Sequence, residues 1–301
     1  MDVPFLLTLN SSTLRPYNLD LESQLRVTAE AGFAGIEIWM RDLQAYMARG
    51  NRPDQIRFLA EELGISVVNG IAFFKWTDRN PKTRKAGLEQ AAHEITVLAE
   101  TGCTKIAAPP AGDVTGLSAT EIAANYERLL AISRPMGVDP VLEFWGRASR
   151  LHTVNEAVEV LDHLVDTILP RVKRSADLES GKPPEVTRPS VLLDLYHMYT
   201  GGSEIADLER LDADQIGLVH INDYPDNPPR ETITDADRVM PGTGVAPAAA
   251  FLSALHTKGY TGPLSVELFR SSYGHSGAIE TAREAYKTTH ELWNRVANGA
   301  Q

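Results

Sequence analysis

The chain has almost no cysteine: Cys103 is the single one in 301 residues. One thiol closes no internal disulfide and builds no cysteine-ligated zinc site, so a reducing, cytoplasmic setting is expected. Cys103 stands just before the apolar run "KIAAPP" and is read as an inert packing residue. Long apolar runs are missing as well. No stretch reaches the ~18 residues that a membrane-crossing helix needs. The opening "MDVPFLLTLNSSTL" has no basic segment ahead of its short apolar one, so no secretion signal is read there and no membrane partner is expected. Basic charge is scarce: 29 Lys and Arg stand against 40 Asp and Glu, a net charge of −11. That balance argues against gripping a phosphate backbone, and nucleic acid is not an expected partner. No G-x-G-x-x-G follows the first apolar run and no Walker loop occurs, which leaves a doubly wound nucleotide-binding sheet as the runner-up fold. The "PGTG" at 241–244 is read as a turn.

What is present is a sizeable core, with 43% hydrophobic and 23% charged residues. Eight short apolar runs recur: "FLLTLN" (5–10), "GIEIWM" (35–40), "SVVNGIAFF" (66–74), "KIAAPP" (105–110), "PVLEFWG" (140–146), "SVLLDLYHMY" (190–199), "IGLVHINDY" (216–224) and "PLSVELF" (263–269). Most are rich in Val, Ile, Leu and Phe without strict alternation, which is how strands buried on both faces of a parallel sheet read. Helical periodicity fills the intervals at 21–32, 54–64, 87–102, 118–137, 153–169 and 247–260, with Gly32 and Gly64 placed as C-terminal stops. His93 lies inside one of these helices and is read as surface or packing. Eight strands alternating with helices at about 30 residues per unit predict an α/β chain forming one (β/α)8 TIM barrel over 1–301. Two intervals are long. Residues 171–190 read as a polar helix-to-strand connection, and 225–244 as an extended loop after the seventh strand, on the face where a barrel builds its active site.

Each of the last four runs carries one metal-competent side chain: Glu143, Asp194, His220 and Glu267. Each has a plain alternative, a strand-end carboxylate as helix cap or a histidine satisfied in the core. Asn222 and Asp223 read equally well as turn formers. A carboxylate inside an apolar run is costly unless paired, hydrogen-bonded or metal-bound, and here the coincidence is fourfold on successive strands. A set made mostly of oxygen suits Mn²⁺, Mg²⁺ or Co²⁺; Zn²⁺ is admitted, although it favours more nitrogen and sulfur. Trp39, Phe73, Trp76, Phe144 and Trp145 gather at predicted strand ends, either as aromatic walls for a sugar face or as loop packing. Glu37 is read either as a support for the site or as a hydrogen-bonded interior carboxylate.

These residues, together with Asp194-x-x-His197 and the "DRVMPGTG" turn holding Arg238 and Pro241, resemble the xylose isomerase-like TIM-barrel superfamily of sugar and sugar phosphate isomerases and epimerases. The resemblance spans the chain and is most specific over 140–270. It implies that Glu143, Asp194, His220 and Glu267 bind the metal and that Glu143 and Glu267 form the acid/base pair. It further implies that His197, Arg147, Trp145, Trp39 and Arg238 contact a small sugar or keto-polyol. Departures matter. The ketose 3-epimerases carry a Glu where this chain has Ser149 and an Arg where it has Asp226, which argues against a free ketohexose. Endonuclease IV needs further histidines that "VVNG", "AAPPAG" and "DADR" do not supply. The expected reaction is isomerisation or epimerisation of a sugar, sugar phosphate or keto-polyol by proton transfer α to a carbonyl through an enediolate, with the phosphorylation of the substrate left open. The alternatives are a dehydratase or lyase of a keto-sugar or keto-inositol, as in inosose and dehydroshikimate dehydratases, and a non-catalytic sugar-binding subunit. The number of copies that assemble, including a homo-oligomer, is left open.

Overall fold

A computed structural model of the chain describes residues 2–164, 188–274 and 277–299. Eight parallel strands close on themselves in chain order: β1 (Leu6–Asn10), β2 (Gly35–Trp39), β3 (Ser66–Ile71), β4 (Lys105–Ala108), β5 (Asp139–Glu143), β6 (Ser190–Asp194), β7 (Ile216–Ile221) and β8 (Pro263–Val266). β1 pairs with β8 over Leu6↔Pro263 to Leu9↔Val266, which completes the ring. The expected TIM barrel is what the chain forms.

Local chemistry sets the helix starts. The helix Pro81–Glu100 begins six residues before the periodic segment expected from residue 87, because Asn80 caps it, accepting from Lys82 N at 2.9 Å, and Pro81 takes the first helical position. The helix Ala119–Ser133 opens on a reciprocal capping box between Ser118 and Glu121. Helices Leu21–Glu30, Asp54–Leu63 and Ala248–Thr257 lie where periodicity puts them, and Ala278–Ala297 closes the ring. Two helices follow their strands with no loop, Met40–Ala48 after β2 and Leu195–Gly201 after β6. The second corrects the sixth apolar run. Strand geometry stops at Asp194, whose carboxylate accepts from the backbone N–H of Tyr196 and His197 and so caps a new helix. Most of the connection expected at 171–190 lies outside the described residues.

The strands have buried side chains on both faces. Outward side chains such as Leu9, Ile36, Leu142 and Leu193 pack with the helices in the main core. Val68, Ala107, Val141, Leu192 and Leu218 form a second cluster inside the barrel. Because strand side chains alternate with period two, the inward set continues towards the C-terminal ends as polar groups. Val141 is followed by Glu143, Leu192 by Asp194, and Leu218 by His220. Likewise Ser265 is followed by Glu267, and Leu6 leads through Thr8 to Asn10. Fully burying a Leu such as Leu192 stabilises by about 1.5–3 kcal/mol, and that apolar base offsets the polar layer above it.

Candidate active site

Asp194 and His220 are register partners across β6 and β7, and Asn10 and Glu37 across β1 and β2. Around them the strand ends build a buried polar layer. Glu37, with no solvent exposure, accepts from Asn10 Nδ2 at 3.2 Å, from Asn69 Nδ2 at 2.8 Å and from Ser265 Oγ. One of its oxygens also lies 3.0 Å from His220 Nε2. The other imidazole nitrogen, Nδ1, lies 3.1 Å from Glu267 Oε2 and 3.4 Å from Asp194 Oδ2, without the alignment of a hydrogen bond. Arg238, from the loop after β7, donates to those same two oxygens, at 2.7 Å to Asp194 and 2.8 Å to Glu267. Its other nitrogen donates to Asp235 at 2.6 Å, and its guanidinium stacks 4.4 Å from the Tyr196 ring centre. Asn222 donates to Asp194 Oδ1 at 3.1 Å, and Asn10 to Glu267 Oε1 at 3.0 Å.

Burial and mutual charge set the protonation. Burial raises the Glu143 carboxyl to about 8, aided by the charges of Glu267 and Asp194 and opposed by His220. Burial also pushes Glu267 upward, with Asp194 adding to it, against the pull of His220 and Arg238. At Asp194 burial acts the same way, but Arg238, His197 and His220 outweigh it and hold the group well below the usual carboxylate range. Burial disfavours a charged His220, yet the carboxylates of Glu267 and Glu37 keep its pKa well above the ordinary 6.5. His197 goes the other way: burial lowers it to about 4 despite Asp194.

Above this layer opens a cavity of about 670 Å³, within the range of small-molecule sites. Glu143, Glu267, His197, Arg238, Trp39, Trp145 and Arg147 all line it. Phe269, Trp39, Phe73 and Trp145 form a continuous aromatic wall, with successive ring centres 6.1, 5.3 and 5.8 Å apart. Trp76 and Phe144 are not part of it. Both are fully buried in the main core, and Trp76 donates to the Pro109 carbonyl at 2.7 Å. Arg147 is at the rim, with its N–H groups on the carbonyls of Arg230 (2.8 Å), Ile233 (2.8 Å) and Glu231 (3.4 Å). The loop at 225–244 borders the cavity through Ile233, Thr234, Asp235 and Arg238. Thr243 N bonds Met240 O at 3.1 Å, which makes the "PGTG" stretch the expected turn. Asn10, Asn69, Ser265 and Phe269 are the members that sequence reading passes over. Asn10 and Asn69 carried a signal, an uncharged amide inside an apolar strand.

Asp194, His220 and Glu267 each offer one ligand atom, and these atoms lie within 4.8 Å of one another. Glu143, the fourth expected ligand, falls outside that radius. The fit to a divalent cation is good. His220 Nδ1 has no hydrogen-bond partner among the described residues, Glu37 fixes the opposite nitrogen as carboxylates do behind metal-bound histidines, and the facing oxygens already hold a cation, Arg238.

The fold, with a layer of acids and imidazole at its mouth, is a xylose isomerase-like barrel. The family model of the xylose isomerase-like TIM barrel matches residues 25–177 and 185–295, and the chain belongs to that family. It is 28% identical over 288 residues to an inosose isomerase of Halalkalibacterium halodurans, covering 91% of this chain and 92% of that one. A 3-dehydroshikimate dehydratase of Pseudomonas aeruginosa is 24% identical over 267 residues, 84% of this chain but 37% of that longer protein. Among solved structures, the IOLI protein with a bound zinc atom has a TM-score of 0.82 and 25% identity, covering 97% of this chain and 99% of that one. An L-ribulose 3-epimerase shares the fold at a TM-score of 0.71 and 17% identity, over 98% of this chain and 96% of that one. Among the described residues no helix is long and apolar enough to cross a membrane.

Proposed function

We propose that the chain is a metal-dependent isomerase or epimerase of a keto-sugar or keto-polyol, acting by proton transfer α to the substrate carbonyl. The observation that carries the reading is the placement of two buried glutamates. Glu143 on β5 and Glu267 after β8 stand on either side of the strands bearing Asp194 and His220, and both line one cavity. Asp194, His220 and Glu267, with Glu143 beside them, would hold a divalent ion (Mn²⁺, Mg²⁺, Co²⁺ or Zn²⁺), which when bound supplies a Lewis acid that acidifies the α C–H. The two glutamates approach a bound ring from different sides, so one carboxylate removes the α proton and the other returns a proton, to the neighbouring former carbonyl carbon in isomerisation or to the opposite face of the α carbon in epimerisation. His197 lines the cavity and offers its imidazole to a substrate hydroxyl. The aromatic wall covers the apolar face of the ring and keeps water from the carbanion. Arg238 closes the cavity from the loop side.

The test is exchange in D₂O. The metal-loaded protein, given a panel of ketoses and keto-inositols, should place deuterium at the α carbon of recovered substrate or product. Glu143→Gln and Glu267→Gln, assayed at saturating metal, should each lose about 10²–10⁴-fold in rate. No α-deuterium with any accepted substrate, together with wild-type turnover in both variants, rejects the reading. Dehydration is the second reading, favoured by the relatives named 3-dehydroshikimate dehydratase. It would show as product lighter by one water.

A further inference from the structure

The Asn10 amide is fully buried, and both of its ends are engaged. Its Oδ1 accepts from the Trp39 indole N–H at 2.9 Å and from the Ser12 backbone N–H at 3.0 Å. Its Nδ2 donates to Glu267 Oε1 at 3.0 Å and to Glu37 Oε1 at 3.2 Å. The orientation is forced, because a flipped amide would set its own N–H groups against two groups that can only donate. The main chain on either side of Glu267 is held separately. Thr13 Oγ1 donates to the Val266 carbonyl and accepts from the Leu268 N–H, both at 3.1 Å. What stays open is rotation of the Glu267 carboxylate, and Asn10 closes it. With Oε1 on Asn10, Oε2 is the oxygen that faces Arg238 at 2.8 Å and His220 Nδ1 at 3.1 Å. That is the side on which the ligand atoms of Asp194, His220 and Glu267 converge.

Trp39 lies two residues beyond Glu37 on β2 and so shares its inward face. It lines the cavity, between Phe73 and Phe269 in the aromatic wall. A wall needs only ring faces. Of these three rings, Trp39 alone brings an N–H, and that N–H goes to Asn10. Arg15, which does not line the cavity, stacks 3.7 Å from the Trp39 ring centre and steadies it. We infer that Trp39 is a positioning residue: through its indole N–H and Asn10 it fixes which oxygen of Glu267 is turned to Asp194 and His220. The inference rests on the proposed metal-assisted proton transfer and adds how one of its two carboxylates is aimed. A ring seated against Trp39 touches a side chain two hydrogen bonds away from that carboxylate.

The test is calorimetric titration of Zn²⁺ into wild type, Trp39→Phe, Asn10→Ala and the double variant. Trp39→Phe keeps a ring in the wall and removes the N–H. Its Zn²⁺ affinity should fall about threefold to tenfold, the worth of one hydrogen bond. Asn10→Ala should lose about 10–100-fold, as groups behind metal ligands do. The double variant should bind like Asn10→Ala alone, because the two residues act in series. In the NMR spectrum of the indole N–H groups, the peak missing from Trp39→Phe should move on Zn²⁺ addition in wild type and stay still in Asn10→Ala. With any substrate that takes up α-deuterium, Trp39→Phe should lower kcat about tenfold and keep KM within about twofold. Unchanged Zn²⁺ affinity in Trp39→Phe overturns the inference. So does a rise in KM at constant kcat, because the residue would then be wall alone. Both outcomes need only Trp39→Phe and hold even if Asn10→Ala does not fold. Losses that add up in the double variant overturn it too, because Trp39 would act by another route. The Zn²⁺ titrations need no substrate and so separate the two readings. Zn²⁺ losses in series without any α-deuterium keep the positioning role and reject proton transfer. Exchange of α-deuterium with unchanged Zn²⁺ affinity in Trp39→Phe does the reverse. A wild type that binds no Zn²⁺ overturns both.

Discussion

Glu37 is a charge with no solvent, held by Asn10, Asn69, Ser265 and His220. Burial alone would raise its pKa, but His220 and these donors hold it below the ordinary carboxylate value. It therefore stays anionic and orients the imidazole whose Nδ1 faces Asp194 and Glu267. In Glu37→Gln the imidazole keeps a neighbour but loses a counter-charge. Affinity for Mn²⁺ or Zn²⁺, measured by calorimetry on the folded variant, should fall about 10–100-fold. Unchanged affinity would leave Glu37 as a packing residue only. The acids of this layer are legible in the sequence, because Glu143, Asp194 and Glu267 interrupt apolar runs where an unpaired charge is costly. Their partners are less so. Asn10, Asn69 and Ser265 gain meaning only when barrel closure brings β1, β2, β3 and β8 to one point. Arg147 can be seen as a rim cation in the sequence, but the loop carbonyls that receive it lie more than 80 residues ahead in the chain.

At the scale of elements, strand order and most helices follow from periodicity, while starts and stops follow from caps. The helix Leu195–Gly201 hides in the sequence because its residues are as apolar as those of β6, and one carboxylate makes the break. Capping also gives a pH test. Asp20 caps the helix Leu21–Glu30, accepting from Ser23 N at 2.9 Å, and that bond lowers its pKa. A carboxyl whose folded value is depressed contributes fully above its unfolded pKa, about 3.9, and loses that contribution as pH falls through the folded value. Asp20→Ala should cost about 1 kcal/mol at pH 7, and the gap from wild type should close in acid denaturation curves below the unfolded value. A gap independent of pH would assign the loss to helix propensity. The loop after β7 is the other element to test. Arg147 and the Tyr196 hydroxyl both donate to the Ile233 carbonyl, at 2.8 and 3.1 Å, and so hold the segment that carries Arg238. Each lost bond is worth about 0.5–1.5 kcal/mol. In Arg147→Gln, protease cleavage near Arg230 should speed up by about tenfold, and KM should rise more than kcat falls. Arg147→Lys should restore part of this. An unchanged cleavage rate would mean that the loop holds without the clasp.

At the scale of the molecule, the barrel has no free edge, since every strand has two neighbours. Cys103 reports on that closure. It is buried just before β4, and burial pushes its thiol up to about 12, so the reactive thiolate is scarce at ordinary pH. A thiol reagent at pH 8 should label the native protein only at the rate of unfolding, and denaturant should accelerate labelling in step with loss of circular dichroism. Prompt labelling without denaturant would show that the junction between the helix Pro81–Glu100 and β4 opens by itself.

The hydrogen bond from Asn10 to Glu267 spans 257 residues of chain. During synthesis, therefore, the amide meets one acceptor, Glu37, on the next strand and waits through seven strands for the other. A ribosome that stalls before residue 267 carries a chain holding Glu37, Glu143, Asp194 and His220 but missing the glutamate that completes their charge pattern. Truncated products should accordingly be chemically silent however much of the barrel they include, because this centre is completed last, by the first and the eighth strand together.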